Sequence, residues 1–263
     1  MKHSALLAAT LSLAVSWASA AADYVPLPGG SFRSVLPADG KTAQPQLPPF
    51  SMRTKPVSNA QFRDFIAAHP DWRRDAVAPV LASADYLSAW SGALDFSPLA
   101  ADAPVTRVSW HAAAAFCASE QARLPRWYEW EYAAAADPNR ADARDDPQWL
   151  EHILNWYARP ANEAPQEVAR DAANFYGLHD LHGLVWEWVE DYSALFVSAD
   201  SRVQDGQKQL DYCGGAALSL ADRRNYAVLM RLALLAAMEG AQDGPYLGFR
   251  CVREATPPSR FTQ

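Results

Sequence analysis

Three cysteines are the side chains in this sequence best suited to thiol or soft-metal chemistry. Cys117, Cys213 and Cys251 lie too far apart for a CxxC redox motif or for zinc-finger spacing. Cys213 stands directly before Gly214 and Gly215, which would let the backbone approach a ligand closely. In an oxidising compartment, three cysteines predict one disulfide and one leftover thiol.

A copper site is the chemistry that a single thiolate at Cys213 suggests. Met230, His179 or His182 would complete such a site, because thioether and imidazole groups suit copper. The two histidines are three residues apart, but "GLHDLHG" is typical of a turn, and no His-rich helix accompanies it. The alternative for Cys213 is a small buried hydrophobic side chain beside a turn.

The first 20 residues have the pattern of a secretory signal peptide. A basic start is followed by an apolar stretch from Ala5 to Trp17 and by small residues up to Ala20. We expect Sec export, cleavage between Ala20 and Ala21, and a periplasmic location. The alternative is a buried N-terminal helix.

The composition narrows the classes of partner. The net charge is -7 without a Lys/Arg cluster, which argues against nucleic acids and anionic membrane surfaces. The rest of the sequence contains no run of about 18 apolar residues, so it predicts no membrane span. The ten tryptophans indicate core packing, or alternatively a platform for stacking sugars.

Three helices are predicted to position these groups. The first follows Ser58 as its N-cap and ends before Pro70. The second begins after Ser109 in "VSWHAAAAFCASEQA", and the third opens at Pro125 in "PRWYEWEYAAAA". For residues 222–239, local propensity favours a fourth helix.

The remaining segments are predicted as strands, loops and a tail. "PLPGGSFRSVL" alternates like a strand, and "HGLVWEWVEDY" is typical of a buried strand. Residues 71–104 are expected to form a long packed loop, and residues 137–172 an acidic, irregular region. Residues 254–263 are expected to be a flexible tail.

Seven stretches, read in order, resemble the formylglycine-generating enzyme family, also called the sulfatase-modifying factor domain. They are "PGGSF", "KPVSNAQFRDF", "PVTRVSWHAAAAFCA", "RLPRWYEWEYAAAAD", "NFYGLHDLHGLVWEWVEDY", "CGGA" and "LGFRC". The resemblance implies one α+β domain over residues 21–253, related to C-type lectins and low in regular secondary structure. We expect a monomer whose partner is a periplasmic protein or peptide.

The family includes several chemistries. Its best known members oxidise a sulfatase cysteine to formylglycine with O2 and Cu(I) held by two cysteines. Others form sulfoxides or C–S bonds with non-haem iron, and others act on pyoverdine precursors or accompany copper nitrite reductases. The export signal makes this chain most similar to the periplasmic branch.

The resemblance also assigns roles to the cysteines. It implies a disulfide between Cys117 and Cys251, which leaves Cys213 single. The family's copper thiolates follow the double glycine, but here that segment contains no cysteine. A lone thiolate cannot hold Cu(I) against competing thiols, so the known oxidase mechanism is not supported. Cys213, Ser219 and Arg231 remain the catalytic candidates.

Two further family features are altered. Asn155 and Glu187 match ligands of structural calcium sites, but Leu184 replaces an expected asparagine, so one weakened site is expected. Arg231 matches the first arginine of an "R-x-A-x-R" strand, in which Leu235 replaces the second. The resemblance therefore predicts a helix that ends near Met230 and then a strand.

Three functional hypotheses follow. The first is a periplasmic accessory factor that binds or matures another periplasmic protein, such as a copper enzyme. The second is a metal-dependent oxidoreductase that acts on a peptidyl or thiol substrate through Cys213. The third is a lectin-like module that binds glycan or peptide. The cofactor is not fixed by the sequence; calcium and copper are the candidates.

Overall fold

A computed structural model describes residues 23–36, 44–157, 167–170, 172–195 and 226–255 of the chain. The expected signal peptide and most of the expected tail lie outside these ranges. So do the catalytic candidates Cys213 and Ser219.

Short strands form three small sheets. They are β1 (Tyr24–Leu27), β2 (Gly30–Ser31), β3 (Gln46–Leu47), β4 (Phe50–Arg53), β5 (Trp186–Glu187), β6 (Leu247–Gly248) and β7 (Val252–Glu254). Strand β4 lies between β1 and β7 in an antiparallel sheet, β2 pairs with β3, and β5 runs parallel to β6. Both predicted strands are therefore shorter than expected. In "PLPGGSFRSVL" the pairing is limited to the end of β1 and to β2, and in "HGLVWEWVEDY" it is limited to β5.

The helices are α1 (Asn59–Ala68), α2 (Trp110–Ser119), α3 (Trp127–Ala134), α4 (Pro147–Tyr157) and α5 (Tyr226–Ala236). Short 3-10 turns occur at Pro70–Trp72 and Tyr192–Ala194. Ser58 and Ser109 cap α1 and α2 as predicted, because each hydroxyl accepts a backbone N–H from the first turn. Pro125 lies one residue before the N-cap of α3.

Helix α4 corrects the prediction that residues 137–172 are irregular. The apolar side chains of Trp149, Ile153 and Trp156 recur at helical spacing. Asp146 caps the start, since its Oδ1 accepts the N–H groups of Gln148 (2.8 Å) and Trp149 (3.3 Å). The acidic composition of the region concealed this spacing.

Helix α5 corrects the strand that the resemblance predicts after Met230. The helix continues to Ala236 because Val228, Leu232 and Leu235 lie on one face and are buried. Local propensity alone, which favours helix here, describes this segment better. At the other end of the domain, Glu254 belongs to β7 and pairs with Phe50, so the sheet extends into the expected tail.

The core lies between α1, α2, α3 and the sheet of β1, β4 and β7, which is called the central sheet below. Cys117 in α2 and Cys251, next to β7, form a fully buried disulfide across 134 positions of sequence, the pair that the resemblance implies. The chain between the first 3-10 turn and α2 contains no α-helix and packs through buried Tyr86, Leu87 and Trp90, as a long packed loop should. In the part of the chain described here, no helix is long and apolar enough to cross a bilayer.

Candidate functional site

Glu187 in β5 and Arg250, just after β6, form a fully buried ion pair. The Arg250 Nη2 is 2.8 Å from Glu187 Oε1, and its Nε is 3.0 Å from both carboxylate oxygens. The indole Nε1 of Trp130 donates to Oε2 at 2.9 Å. A cation bound by this carboxylate would have to displace the guanidinium. The structure therefore gives Glu187 an internal pairing role with Arg250.

Asn155 matches a ligand of the family's other calcium site. It is exposed on α4, whereas Glu187 is fully buried and paired with Arg250. The residual calcium site stays a prediction.

Arg231, a catalytic candidate, is buried within the same cluster. Its Cζ lies 3.5 Å from the centroid of the Trp130 ring, which is a cation–π contact. Its Nη2 donates to the backbone carbonyl of Glu187. Helix α5 carries Arg231 to this position. Arg231 as a whole is 2% exposed, so it links α3, α5 and β5 in the interior.

The copper candidates are differently placed. Met230 is 42% exposed on α5, whereas the Nε2 of His182 lies 2.9 Å from the carbonyl of Ala134. The backbone of His179 joins the interior through Thr54 and Arg250. In the ranges described, no three or more His, Cys, Asp or Glu side chains are grouped as a metal site. Cys213 lies outside those ranges, so the structure gives no distance between it and these candidate ligands.

An open cleft of about 450 Å3 lies between the first turns of α4, the turn at residues 136–140 and the segment at residues 172–182. Its volume is within the range of small-molecule and side-chain binding pockets. The residues that line it are Ala136, Asp137, Pro138, Asn139, Arg140, Asp146, Gln148, Trp149, His152, Ala172, Asn174, Leu178, Asp180, Leu181 and His182.

A row of aromatic rings connects this cleft to the buried cluster. The imidazole of His152 stacks on Trp149, with centroids 5.3 Å apart and planes at 10°. Trp149 meets His182 edge-on at 6.2 Å, and His182 meets Trp130 edge-on at 5.7 Å. Of these residues, only His182 is predicted from the sequence, because the pattern of residues 137–172 did not predict the helix that places Trp149 and His152 three residues apart. The apolar spacing within α4 is the signal that could have revealed it.

Carboxylates dominate the charges around the cleft. Arg140 bridges Asp137 and Asp146, and its hydrogen bonds hold the pKa of both carboxyls below the usual value. Burial raises the pKa of Asp180, although a hydrogen bond from the Ala169 N–H opposes the shift.

His182 is a neutral group in this cleft. Burial lowers its pKa to about 4, so the imidazole is uncharged at neutral pH. The carbonyl of Ala134 can only accept a hydrogen bond, so the Nε2 of the neutral ring carries the proton. The Nδ1 atom is then a hydrogen-bond acceptor.

The cleft is equipped for binding. Around it, the described lining contains no cysteine, serine or lysine that could act as a nucleophile. It presents carboxylates, an imidazole acceptor and flat rings, which together favour a ligand with N–H donors.

A family model agrees with this fold. The model of the sulfatase-modifying factor enzyme 1-like domain matches residues 13–255. That range includes the central sheet, the disulfide and both walls of the cleft.

Individual relatives carry different names. Mouse (Mus musculus) "Inactive C-alpha-formylglycine-generating enzyme 2" is 28% identical over 291 residues, with 89% of this chain and 86% of that protein aligned. Hercynine oxygenase of Mycobacterium tuberculosis (strain ATCC 25618 / H37Rv) is 29% identical over 192 residues, with 61% of this chain and 45% of that protein aligned. The chain therefore spans less than half of the oxygenase. The structure of PvdO from Pseudomonas aeruginosa superposes with a TM-score of 0.46 at 16% identity, covering 88% of this chain and 94% of PvdO.

Proposed function

Because the chain belongs to the sulfatase-modifying factor family, we propose that it is a periplasmic accessory protein that binds and helps to mature another exported protein. The observation that carries this proposal is the disulfide between Cys117 and Cys251. It consumes two of the three cysteines in the chain. A copper oxidase centre built on two thiolates has only Cys213 left to form it.

The donor set therefore does not fit the family's copper centre. Cu(I) held by paired thiolates needs two soft ligands, and one thiolate cannot retain the ion against competing thiols. Of the other soft-ligand candidates, Met230 lies on the exposed side of α5, whereas His182 lines the cleft with its Nε2 bonded to the Ala134 carbonyl. We derive no oxidation step through this metal.

A binding role draws support from two sides. The cleft beside α4 is large enough for a side chain of a partner and presents hydrogen-bond acceptors. A relative aligned over most of its length carries the name of an inactive enzyme. The named oxygenase is matched over less than half of its length, so the match does not assign its activity to this chain.

The partner that we propose is an exported copper enzyme. The signal-peptide pattern at residues 1–20 supports the location, and the resemblance to the branch that accompanies copper nitrite reductases supports the class of partner. The absence of a basic cluster from the sequence agrees with a protein partner.

The first experiment captures the partner and measures its metal. The full chain, tagged at its C-terminus and exported in its native host, is used as bait, and copper in the co-purified enzyme is quantified. Cells that lack the chain serve as the reference. An accessory role predicts a captured enzyme with lower copper occupancy in the reference cells. Unchanged occupancy, or recovery of glycans alone, would contradict it.

A matched variant separates an oxidoreductase from an accessory factor. Cys213→Ser should leave partner capture and partner copper content unchanged, because the proposed role does not use the thiol. Wild type and variant should also bind Cu(I) equally weakly in a titration against a competing chelator. Tight copper binding, or oxidation of a thiol peptide by wild type alone, would favour the oxidoreductase.

A further inference from the structure

The cleft beside α4 has a charge imbalance that indicates its ligand. Asp137, Asp146 and Asp180 line it, while Arg140 is the guanidinium among its described lining residues. Arg140 is already held by two carboxylates, at 2.5 Å from Asp137 and in a second contact with Asp146. This arrangement leaves the carboxylate of Asp180 as the acceptor that Arg140 does not engage.

Asp180 has a free hydrogen-bonding position. Its Oδ2 accepts the backbone N–H of Ala169 at 2.6 Å. Among the described residues, no hydrogen bond reaches its Oδ1. Arg250 and His179 influence this carboxyl electrostatically, but Arg250 is already engaged with Glu187. A donor that enters the cleft can therefore pair with Oδ1.

The other surfaces of the cleft suit a planar cation. The neutral imidazole of His182 has an acceptor at Nδ1, and the stacked rings of His152 and Trp149 both belong to residues that line the cleft. A guanidinium combines N–H donors in one plane with a face that stacks on aromatic rings, so it matches these features better than an ammonium.

An exposed apolar residue lies on a segment joined to the acidic turn of the cleft. Phe175 is 54% exposed, and its backbone N–H donates to the carbonyl of Asp137 at 2.7 Å. Asp137 itself lines the cleft.

We propose that this cleft receives an arginine side chain from an extended segment of the partner protein. The inference rests on the proposed function, since it supplies the contact by which an accessory protein would hold its partner. Asp180 pairs with the guanidinium, His182 accepts a further N–H, and the stack of His152 on Trp149 covers its face.

The direct test uses peptides and requires no partner. Blocked tripeptides Ala-X-Ala, with X as arginine, citrulline or glutamate, are titrated into the full mature chain by calorimetry at low salt. Citrulline keeps the shape of arginine without its charge. The arginine peptide should bind about tenfold more tightly than the citrulline peptide, and added salt should weaken it. Equal binding of both, or no binding of the arginine peptide, would overturn the proposal.

A pair of variants locates the effect. Asp180→Asn removes the charge but keeps the shape, and should weaken the arginine peptide about tenfold while leaving the citrulline peptide unchanged. Asp85→Asn makes the same change in net charge at an exposed position outside the cleft and should have no effect. Equal losses in both variants would show a bulk charge effect and overturn the assignment. Circular dichroism and the melting temperature confirm that both variants fold.

Partner capture distinguishes this inference from the proposed function. If wild type and Asp180→Asn capture the partner equally, the accessory role stands and the cleft assignment fails. If wild type captures no partner but the arginine peptide binds through Asp180, the assignment stands and the accessory role fails.

Discussion

Arg231 lies face-on over Trp130, with its Cζ 3.5 Å from the ring centroid. The same indole donates to the carboxylate of Glu187, and Arg231 donates to the carbonyl of Glu187. These contacts of Trp130 and Arg231 with Glu187 join α3, α5 and β5. Arg231, a catalytic candidate from the sequence, thus lies inside the fold in the part of the chain described here.

Removing the guanidinium of Arg231 should destabilise the domain. Arg231→Ala leaves a cavity over Trp130 and an unpaired carbonyl at Glu187, so we expect a loss of roughly 3 kcal/mol in the free energy of unfolding. Arg231→Lys should lose less, because it restores charge without the planar stack. Urea unfolding measures both. Arg63→Ala, whose surface pair with Asp64 involves a side chain that is 41% exposed, should change stability little. A loss as small in Arg231→Ala would contradict the burial of this group.

Glu187→Gln should also destabilise the domain, and calcium should not alter the loss. The variant leaves the buried guanidinium of Arg250 without its counter-ion, which costs about 3–5 kcal/mol. Because the wild-type carboxylate is engaged by Arg250 and Trp130, the loss should be equal in calcium and in EGTA. Glu190→Gln, at a half-exposed pair with Arg126, is the matched control with a small effect. A loss that appears only with calcium would support a calcium role for Glu187.

Thiol counting tests whether Cys117 and Cys251 are bonded and Cys213 is a free thiol, which is the assignment on which the proposed function rests. The denatured, unreduced chain should expose one reactive thiol at Cys213, and the reduced chain should expose three. Replacing Cys117 and Cys251 together with alanine should cost about 3–5 kcal/mol, because the disulfide closes a long loop. A non-reducing peptide map that finds Cys213 in a disulfide would refute the assignment of Cys213 as the free thiol.

The sequence predicted those parts of the fold whose signals are local. Ser58 and Ser109 are good N-caps in any context, and both helices begin after them. The family resemblance added the long-range pairing of Cys117 with Cys251, which spacing alone does not determine. The central sheet is another long-range feature, because it joins strands from opposite ends of the chain.

The candidate site was harder to predict because it depends on tertiary contacts. Glu187 has the residue type of a calcium ligand, and its pairing with Arg250 appears only when β5 lies beside β6. His152 and Trp149 were missed because acidic neighbours concealed the helix that carries them. Arg231 was expected in a strand, although the apolar residues of α5 have helical spacing.

Acidification should weaken the fold through His182. Its pKa is about 4 in the folded protein, against about 6.5 in an unfolded chain, because burial disfavours the charged ring. The unfolded state therefore takes up a proton first as the pH falls. The contribution of His182 to the free energy of unfolding is therefore fully present above about pH 6.5. It is lost toward pH 4, by up to about 3 kcal/mol.

The variant His182→Gln isolates this effect. Its amide can still donate to the carbonyl of Ala134, but it does not titrate. The difference in unfolding free energy between wild type and variant should shrink or change sign between pH 6.5 and 4. Because the variant retains Asp180, whose raised pKa acts in the opposite direction, that contribution cancels in the comparison. A difference that is constant with pH would show that His182 is accessible to protons in the folded state.

Binding of the arginine peptide should also fall in acid, through Asp180. Burial raises the pKa of this carboxyl, while the Ala169 N–H, Arg250 and His179 oppose the rise and Glu187 adds to it. A guanidinium pairs with the ionised form only. The affinity for the arginine peptide is therefore highest above the raised pKa of Asp180 and falls as the pH drops through it. This loss occurs at a higher pH than it would for an ordinary aspartate.

The imidazoles in the cleft must be separated from this effect. His182 gains positive charge as the pH falls toward 4 and would repel the same cation. Calorimetry with wild type, Asp180→Asn and His152→Gln across pH 4 to 7 resolves the contributions. The wild-type and His152→Gln profiles should fall together, whereas the Asp180→Asn profile should be weaker and flatter. Parallel profiles for wild type and Asp180→Asn would mean that the histidines, and not Asp180, govern the entry of the cation into the cleft.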